Sequence, residues 1–370
     1  MKAFLILEDG TVFTGTSIGS REEIISEIVF NTSMTGYLEV LTDPSYAGQS
    51  VVLTYPLIGN YGVTPDMESK RAWAKGCIVH ELSRFSSNFR CQEDMESFLE
   101  REKVTGIAGI DTRSLTKLLR EKGTMNGMIT TKEPQDLQKL LPKIRACKIE
   151  NAVLLTTCKE PYILESFPDI PEKEHLRTAL LDLGAKENIA RCLQKRGCQV
   201  TVFPANTPAE KILENRPDGI MISNGPGDPA ECTEIIKEIK ELAESGIPIF
   251  AICLGHQLMA LANGARTYKL KYGHRGGNHP VKNLKDGRVY ISSQNHGYAV
   301  DFSSVDPLVA KETFVNVNDG TNEGLKYKKK KIWTVQFHPE ANPGPKDLSF
   351  LFDDFINHMK GVKACQGTEK

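Results

Sequence analysis

The stretch Ile249-Phe250-Ala251-Ile252-Cys253-Leu254-Gly255-His256-Gln257 decides the fold class. Its apolar first half is typical of a buried strand, and Gly255 opens a helical pattern that continues over 257–262. A cysteine at such a strand-to-helix turn predicts a nucleophile elbow with a thiol in place of the usual hydroxyl. The helix dipole favours a thiolate there, so Cys253 is a potential nucleophile. A buried cysteine that only packs at the strand end is the alternative interpretation.

Strand and helix patterns of the same kind surround this stretch. We predict strands at 178–183, 199–203, 219–223 and 247–252, and helices at 185–195 and 234–244. Repeated βα units of this length are typical of parallel sheets that are covered by helices. The sequence therefore predicts an α/β fold in which 176–362 form a doubly wound, mostly parallel sheet with helices on both faces.

The first 150 residues predict a separate, mixed α+β domain. Strand patterns at 2–7 and 11–16 flank Asp9-Gly10, a dipeptide that favours a hairpin turn. Further strands are predicted at 25–30 and 50–54, and a helix capped by Asp111 is predicted to end at Gly123. Prolines and acidic residues then mark a connection at 151–175, and 363–370 form a short tail after the second domain.

Composition limits the classes of function. The chain has 370 residues, 40% of them hydrophobic and 25% charged, and a net charge of −1. This balance excludes a disordered chain, and it gives no global attraction to nucleic acid or to a membrane surface. Nine cysteines without a Cys-x-x-Cys spacing predict reduced thiols, no metal site and a cytoplasmic location, and we expect no secretory leader.

A glycine-rich loop, Ser-Asn-Gly-Pro-Gly-Asp-Pro at 223–229, follows a predicted strand. Its glycines let backbone amides approach a ligand or an oxyanion, although an ordinary Gly/Pro turn has the same composition. The loop also fits a relaxed dinucleotide-binding fingerprint. The acidic residue that this fingerprint requires at the end of the next strand is missing, so we disfavour dinucleotide binding.

A third segment, Val-Gln-Phe-His-Pro-Glu at 335–340, could complete the chemistry of Cys253. A nucleophilic thiol needs a base, and the base needs an orienting acceptor; His338 and Glu340 have these properties. His256 is a rival base, but we expect it to be structural, on the helix after the elbow. Two polar segments with glycines, at 273–280 and 293–298, are predicted as loops suited to a small polar ligand.

Taken together, these motifs resemble a known family. The segments 223–229, 253–257 and 337–340, in this order, are similar to the class I (triad) glutamine amidotransferases over about 176–362. Segments 30–37, 41–49 and 109–113 are similar to the small chain of carbamoyl phosphate synthetase. With 273–280 and 293–298, the resemblance covers nearly the whole chain.

The resemblance implies roles for individual residues. Cys253 would attack the side-chain carboxamide of glutamine, His338 would move protons, and Glu340 would orient His338. The positions that match contacts to L-glutamine or to its oxyanion are Ser45, Gly225, Gly227, Leu254, Gln257, Asn295, Gly297 and Tyr298. Because Ser45 belongs to the N-terminal domain, the resemblance also implies a site between the two domains.

The resemblance further implies a partner. Ammonia would pass to a large synthetase subunit, where ATP, Mg²⁺ and bicarbonate give carbamoyl phosphate for pyrimidine or arginine biosynthesis. The small chain itself would need no cofactor and no metal. Two positions depart from the family pattern: Ala251 replaces a common Gly and Tyr298 a common Phe, for which we expect only slight repacking.

Two other functions remain open at this point. The chain could be a non-enzymatic scaffold or regulator of a synthetase that uses ammonia from solution, but the intact set of Cys253, His338 and Glu340 argues against this. It could also be a hydrolase or peptidase with a Cys-His-Glu triad. The polar segments suit a small amide better than an extended peptide.

Overall fold

The computed structural model describes residues 1–167 and 175–367 and divides into two units. The first unit holds Met1–Glu150 and Lys271–Gly276, and the second holds Asn151–Leu270 and Gly277–Lys370. Residues 271–276 thus lie in the first unit, whereas the sequence predicted them within the domain 176–362.

The first unit is built around a closed barrel of seven strands. The nine strands of this unit, seven in the barrel and two outside it, are β1 (Lys2–Leu7), β2 (Val12–Gly19), β3 (Ile24–Asn31), β4 (Gln49–Leu53), β5 (Leu57–Ile58), β6 (Gly76–Ile78), β7 (Glu81–Leu82), β8 (Thr105–Ala108) and β9 (Met125–Thr130). Its helices are α1 (Tyr37–Thr42), α2 (Met95–Arg101), α3 (Thr112–Lys122) and α4 (Leu137–Arg145). The barrel order is β1-β2-β8-β6-β4-β3-β9, and β5 pairs with β7 in a small separate sheet.

Local sequence explains the clearest elements of this unit. β1 and β2 pair antiparallel on either side of the Asp9-Gly10 turn, where Gly10 has a φ of 90°. The Asp111 carboxylate accepts the Ser114 N–H at the start of α3, and Gly123 ends that helix with a φ of 100°. The predicted mixed α+β domain is therefore present, with the predicted hairpin and capped helix.

The second unit contains a ten-stranded sheet, except that residues 271–276 of one of its strands belong to the first unit. Its strands are β10 (Tyr162–Leu164), β11 (Leu176–Asp182), β12 (Cys198–Pro204), β13 (Gly219–Ile222), β14 (Ile249–Ile252), β15 (Arg266–Asn283), β16 (Val289–Asp301), β17 (Ala310–Asn316), β18 (Asn322–Tyr327) and β19 (Ile332–Val335). Its helices are α5 (Ala152–Thr156), α6 (Glu187–Gln194), α7 (Ala209–Glu214), α8 (Thr233–Glu244), α9 (Leu254–Ala262) and α10 (Phe350–Gly367). The strand order is β10-β12-β11-β13-β14-β19-β18-β17-β15-β16.

Helices cover both faces of the central strands. On one face, α7, α8 and α9 pack on side chains such as Ala179 and Ile222. On the other face, α6 and α10 pack on Leu180 and Phe250. Consecutive residues of β11 thus belong to different cores, as expected for a parallel strand that is buried on both faces. The doubly wound α/β fold is confirmed.

The sheet is less uniformly parallel than predicted. The strands β12, β11, β13, β14 and β19 are parallel, whereas β18 and β17 continue from β19 as antiparallel neighbours and β10 pairs antiparallel with β12. The predicted loops 273–280 and 293–298 are in fact parts of the long strands β15 and β16. Polar side chains that are buried within these strands conceal the apolar alternation by which a strand is recognised.

The predicted connection and tail also need correction. Within 151–175, α5 and β10 are regular elements of the second unit, and Val153 packs into its core. The prolines concealed these short elements; residues 168–174 lie outside the described part of the chain. The predicted tail, 363–370, begins inside α10, which continues to Gly367, and 368–370 are not described.

No helix within the described ranges combines the length and the apolar character needed to cross a membrane.

Candidate active site

Cys253 lies between β14 and α9 with a φ of 54°, a left-handed value that few residues other than glycine adopt. Its backbone N–H donates to the carbonyl of Val335 (2.8 Å), and its side chain is buried. Two residues later, a Cβ on Gly255 would lie only 2.6 Å from the carbonyl oxygen of Ile222, so this position requires glycine. The turn therefore has the backbone of a nucleophile elbow, with Cys253 at its apex.

Three predicted motifs meet at one edge of the sheet. β13, β14 and β19 are parallel neighbours, so the segments that follow them emerge at the same edge. These segments are 223–229 after β13, 253–257 after β14 and 336–340 after β19. The topology brings together motifs that are far apart in sequence.

A buried ionic group lies at this edge. The Nδ1 atom of His338 is 2.6 Å from Oε1 of Glu340, and Nζ of Lys186 is 3.1 Å from the same oxygen. Lys186 also donates to the carbonyl of Ala341 (2.7 Å). All three charged side chains are almost fully buried. Glu340 therefore holds both the imidazole and the ammonium group.

This arrangement shifts two pKa values in opposite directions. Burial alone would lower the pKa of His338, but the carboxylate of Glu340 outweighs it, and the His338 pKa is raised above its usual range. Burial would raise the pKa of Glu340, but Lys186 and His338 outweigh it and hold that pKa well below its usual range. The pair is thus stabilised as imidazolium and carboxylate.

The second ring nitrogen of His338, Nε2, connects the ion pair of His338 and Glu340 with Cys253. Nε2 is buried and makes no hydrogen bond of ordinary geometry within the described residues. Cys253 nevertheless contributes to the raised pKa of His338. With Nδ1 held by Glu340, Nε2 is the nitrogen left for proton transfer with the thiol.

The sulfur of Cys253 contacts two further residues. Sγ lies 3.7 Å from the carbonyl oxygen of Asn295, and Nε2 of Gln336 lies 3.6 Å from Sγ. The Oε1 atom of Gln336 accepts a hydrogen bond from Nε2 of Gln257 (2.9 Å), which also donates to the carbonyl of Tyr298 (2.7 Å). Amide groups therefore connect the predicted nucleophile with two predicted glutamine-binding residues.

The loop 223–229 is fixed beside the elbow. The N–H of Gly255 donates to the carbonyl of Ser223 (3.0 Å), and the amide oxygen of Asn224 accepts the N–H of Lys186 (3.0 Å). A Cβ on Gly225 would lie 2.2 Å from the carbonyl oxygen of Leu183, so only glycine fits there. Gly227 has a φ of 93°. The loop thus combines required glycines with close packing against the start of α9.

The remaining predicted residues lie in two places. Leu254 is the buried first residue of α9, and Gly297 and Tyr298 are half-buried on β16. Ser45 belongs to the first unit, where it is buried in a short 3₁₀ turn and its N–H donates to the carboxylate of Asp43 (2.9 Å). Its predicted role with glutamine stays a prediction.

His256, the rival base, faces the sheet. Its Nδ1 atom lies 2.7 Å from the hydroxyl of Thr334 on β19, and the ring is fully buried. Burial lowers the pKa of His256 to about 3, so the ring is neutral at ordinary pH. Its contact with β19 agrees with the structural role that the sequence predicted.

The sequence motifs did not identify two residues of this site, Lys186 and Gln336. Lys186 precedes α6 and looks like one of many exposed lysines; a hint is that it follows Leu-Gly-Ala directly at the end of a buried strand. Gln336 lies within the quoted motif 335–340, and a polar side chain in an apolar strand end is the signal that could have identified it.

Models of two protein families match the chain. Residues 179–358 match "Glutamine amidotransferase class-I", and residues 5–129 match "Carbamoyl-phosphate synthase small chain, CPSase domain".

The chain is also similar to curated proteins named carbamoyl phosphate synthase small chain. The protein from Oceanobacillus iheyensis is 49% identical over 370 residues, which cover 100% of this chain and 99% of the relative. The protein from Clostridium perfringens is 50% identical over 359 residues, which cover 97% and 99%. One similar solved structure, that of a putative GMP synthase subunit from Thermoplasma acidophilum, is 20% identical with a TM-score of 0.46 and covers 52% of this chain and 98% of its own.

Proposed function

The chain belongs to the carbamoyl-phosphate synthase small-chain family, and from this premise we propose how its glutaminase reaction proceeds. It is the glutaminase subunit of a glutamine-hydrolysing synthase. Cys253 attacks the side-chain carbonyl of L-glutamine and forms a γ-glutamyl thioester. The buried ionic group of His338, Glu340 and Lys186, at the same sheet edge as the strained Cys253, is the observation that carries this proposal.

Proton transfers accompany the two steps. Because His338 rests as an imidazolium, Cys253 attacks as the thiolate, and Nε2 of His338 gives its proton to the nitrogen that leaves as ammonia. Neutral His338 then takes a proton from the water that adds to the thioester, and the C–S bond breaks to give the γ-carboxyl group of glutamate and the thiolate. Glu340 keeps Nδ1 of His338 as the donor, so Nε2 carries the moving proton.

Backbone donors stabilise the oxyanion of both steps. The N–H of Leu254 lies at the start of α9, and the loop with Gly225 and Gly227 is packed beside it. Each such donor contributes about 3 kcal/mol in a typical acyl-transfer site. The substrate itself is held by Ser45, Gln257, Asn295, Gly297 and Tyr298.

Ammonia then passes to a large synthetase subunit, in keeping with relatives that are named small chains. ATP, Mg²⁺ and bicarbonate act on that partner, and this chain needs no cofactor of its own. The complex works in the cytoplasm: eight cysteines in the described part of the chain are free thiols, as a reducing compartment favours.

Release of glutamate from L-glutamine tests the proposal. The purified chain is assayed alone and with a large synthetase subunit, ATP and bicarbonate. Cys253→Ser is expected to abolish release, while Cys147→Ser keeps it; the sulfur of Cys147 also lies 3.7 Å from a backbone carbonyl, that of Ile25, in the first unit. Trapping with hydroxylamine as γ-glutamyl hydroxamate detects the thioester.

Two results would favour the alternatives. If no glutamate forms while the wild-type chain still supports ammonia-dependent synthesis by the large subunit, the chain is a scaffold. If the chain cleaves peptides and ignores glutamine, it is a hydrolase of another class.

A further inference from the structure

A row of buried polar side chains crosses the antiparallel half of the sheet. Glu323 on β18 is fully buried, and its Oε1 atom accepts hydrogen bonds from Nε2 of Gln294 (2.9 Å) and from Nδ2 of Asn316 (3.0 Å). Gln294 is buried on β16. Two amide N–H groups therefore converge on one carboxyl oxygen, which acts as an acceptor for both.

Glu323 fixes the orientation of the Gln294 amide. Since Nε2 of Gln294 faces the carboxyl group, its Oε1 atom points the other way, to Nε2 of His296 at 2.8 Å. An amide oxygen only accepts hydrogen bonds, so Nε2 of His296 carries a hydrogen.

The other nitrogen of His296 also faces an acceptor. Nδ1 lies 2.7 Å from the backbone carbonyl oxygen of Tyr298, which cannot donate. Nδ1 must therefore carry a hydrogen as well. An imidazole with hydrogens on both nitrogens is a cation, and the His296 side chain is buried.

We propose that His296 is held as a buried imidazolium, that Glu323 supplies its counter-charge through the amide of Gln294, and that the three act as positioning residues for the glutamine site. A buried unpaired charge is costly, so the two charges stabilise each other through one polarised amide.

Hydrogen bonds connect this group to the site already described. The carbonyl of Tyr298 accepts both from His296 and from Nε2 of Gln257. Gln257 donates to Gln336, whose amide contacts the sulfur of Cys253. An imidazolium therefore fixes a carbonyl on the strand that carries Asn295, Gly297 and Tyr298, so this inference rests on the proposed function of those residues.

The charge state can be measured without any assay of activity. The full chain is labelled with ¹⁵N-histidine, and the His296 ring signals are assigned by their loss in His296→Gln. At about pH 8, where an ordinary imidazole is neutral, His296 is expected to show hydrogens on both ring nitrogens. A ring with one bare nitrogen would overturn the proposal, whether or not the chain hydrolyses glutamine.

Glu323→Gln tests the counter-charge. It keeps an acceptor oxygen but removes the charge, so His296 should lose one ring proton and the KM for glutamine should rise about tenfold, with kcat within about twofold. Glu312→Gln is the matched control, because Glu312 on the neighbouring strand β17 also accepts from an amide, that of Asn322 (2.7 Å), outside the row.

The two outcomes separate the proposals. A ring that stays doubly protonated in Glu323→Gln, with an unchanged KM, would refute the role of Glu323. Absence of glutamine hydrolysis in every variant would refute the proposed function, while the ring signals still decide the charge state. If Glu323→Gln fails to fold by circular dichroism, the wild-type spectrum remains the deciding measurement.

Discussion

The two halves of the ten-stranded sheet build the site in different ways. In the parallel half, β13, β14 and β19 end at one edge, and the reactive side chains lie just beyond these ends. In the antiparallel half, β16 and β18 contribute residues from within the strands, such as Asn295 and Glu323. One half presents groups on turns, and the other presents groups along strands.

This difference suggests a division of labour. The parallel half holds the charged pair of His338 and Glu340 and the strained Cys253, which are the groups that the proposed reaction uses. The antiparallel half holds amides and carbonyls, together with the buried Glu323 and His296, in fixed places, as suits recognition of a polar substrate. Changes in the parallel half should therefore act mainly on kcat, and changes in the antiparallel half mainly on KM.

Lys186→Met is the strongest test of the parallel half. It removes a buried ammonium beside Glu340, so we expect a loss of about 3 kcal/mol in the free energy of unfolding and a kcat lower by about 10- to 100-fold. Urea unfolding and steady-state glutamate release measure both. Lys237→Met, which breaks an exposed pair with Glu234, should cost less than about 0.5 kcal/mol. Equal losses in the two variants would contradict the special role of Lys186.

Asn295→Ala tests the antiparallel half. Loss of the side-chain amide that we propose as a glutamine contact should raise the KM for glutamine about tenfold and leave kcat within about threefold. Initial rates over a range of glutamine concentrations give both constants, and Asn318→Ala on an exposed turn is the control. If kcat falls as far as in Lys186→Met, the division between the halves fails.

The pH dependence of stability is a second test of the parallel half, because the ionic pair of His338 and Glu340 lies there. The pKa of His338 is raised from 6.5, so its stabilisation is full below pH 6.5 and is lost as the pH rises through the folded-state value. The pKa of Glu340 is lowered from 4.5, so its stabilisation is full above pH 4.5 and is lost as the pH falls through the folded-state value.

The stability difference between wild type and Glu340→Gln should therefore be largest between pH 4.5 and 6.5. Outside this pH range, the difference should fall by about 1.4 kcal/mol for each pH unit, until the pH reaches the folded-state pKa of the group that titrates. Urea unfolding at several pH values measures it. A difference that is constant with pH, or largest above pH 8, would show that the pair is not ionic.

Ala251→Gly should have the smallest effect. Ala251 is fully buried in β14, and loss of its methyl group should cost about 1 kcal/mol of stability with activity within about twofold. Ala179→Gly, in the neighbouring parallel part of the sheet, is the matched control for thermal unfolding and activity. A tenfold loss of activity in Ala251→Gly alone would show that the elbow needs the methyl group.

The sequence predicted the parallel half well for a physical reason. A strand that is buried on both faces is a continuous apolar run, so 219–223 and 247–252 identified β13 and β14 to within two residues. Glycine-bearing turns at their ends identified the segments that meet there. Sequence alone could therefore place Cys253 at a turn and the motif of His338 at a strand end.

The antiparallel half could not be predicted in this way. Buried polar residues of β15 and β16 are satisfied by partners on distant strands, as Gln294 is by Glu323, and a single sequence does not show such partners. Lys186 escaped prediction for the same reason, because its partner Glu340 is far along the chain. The roles of the glutamine-binding residues remain predictions.

An isolated β-bridge joins the segment after β19 to β16. The N–H of His338 donates to the carbonyl of Ser293 on β16 (2.9 Å). Side chains alternate along a strand, so Gln294 and His296 share one face of β16 and Asn295 takes the other. The strand therefore has a phase: deletion of one residue after Ser293 would exchange the two sets of side chains while leaving the composition almost unchanged. For this segment, the number of residues therefore matters as much as their identity.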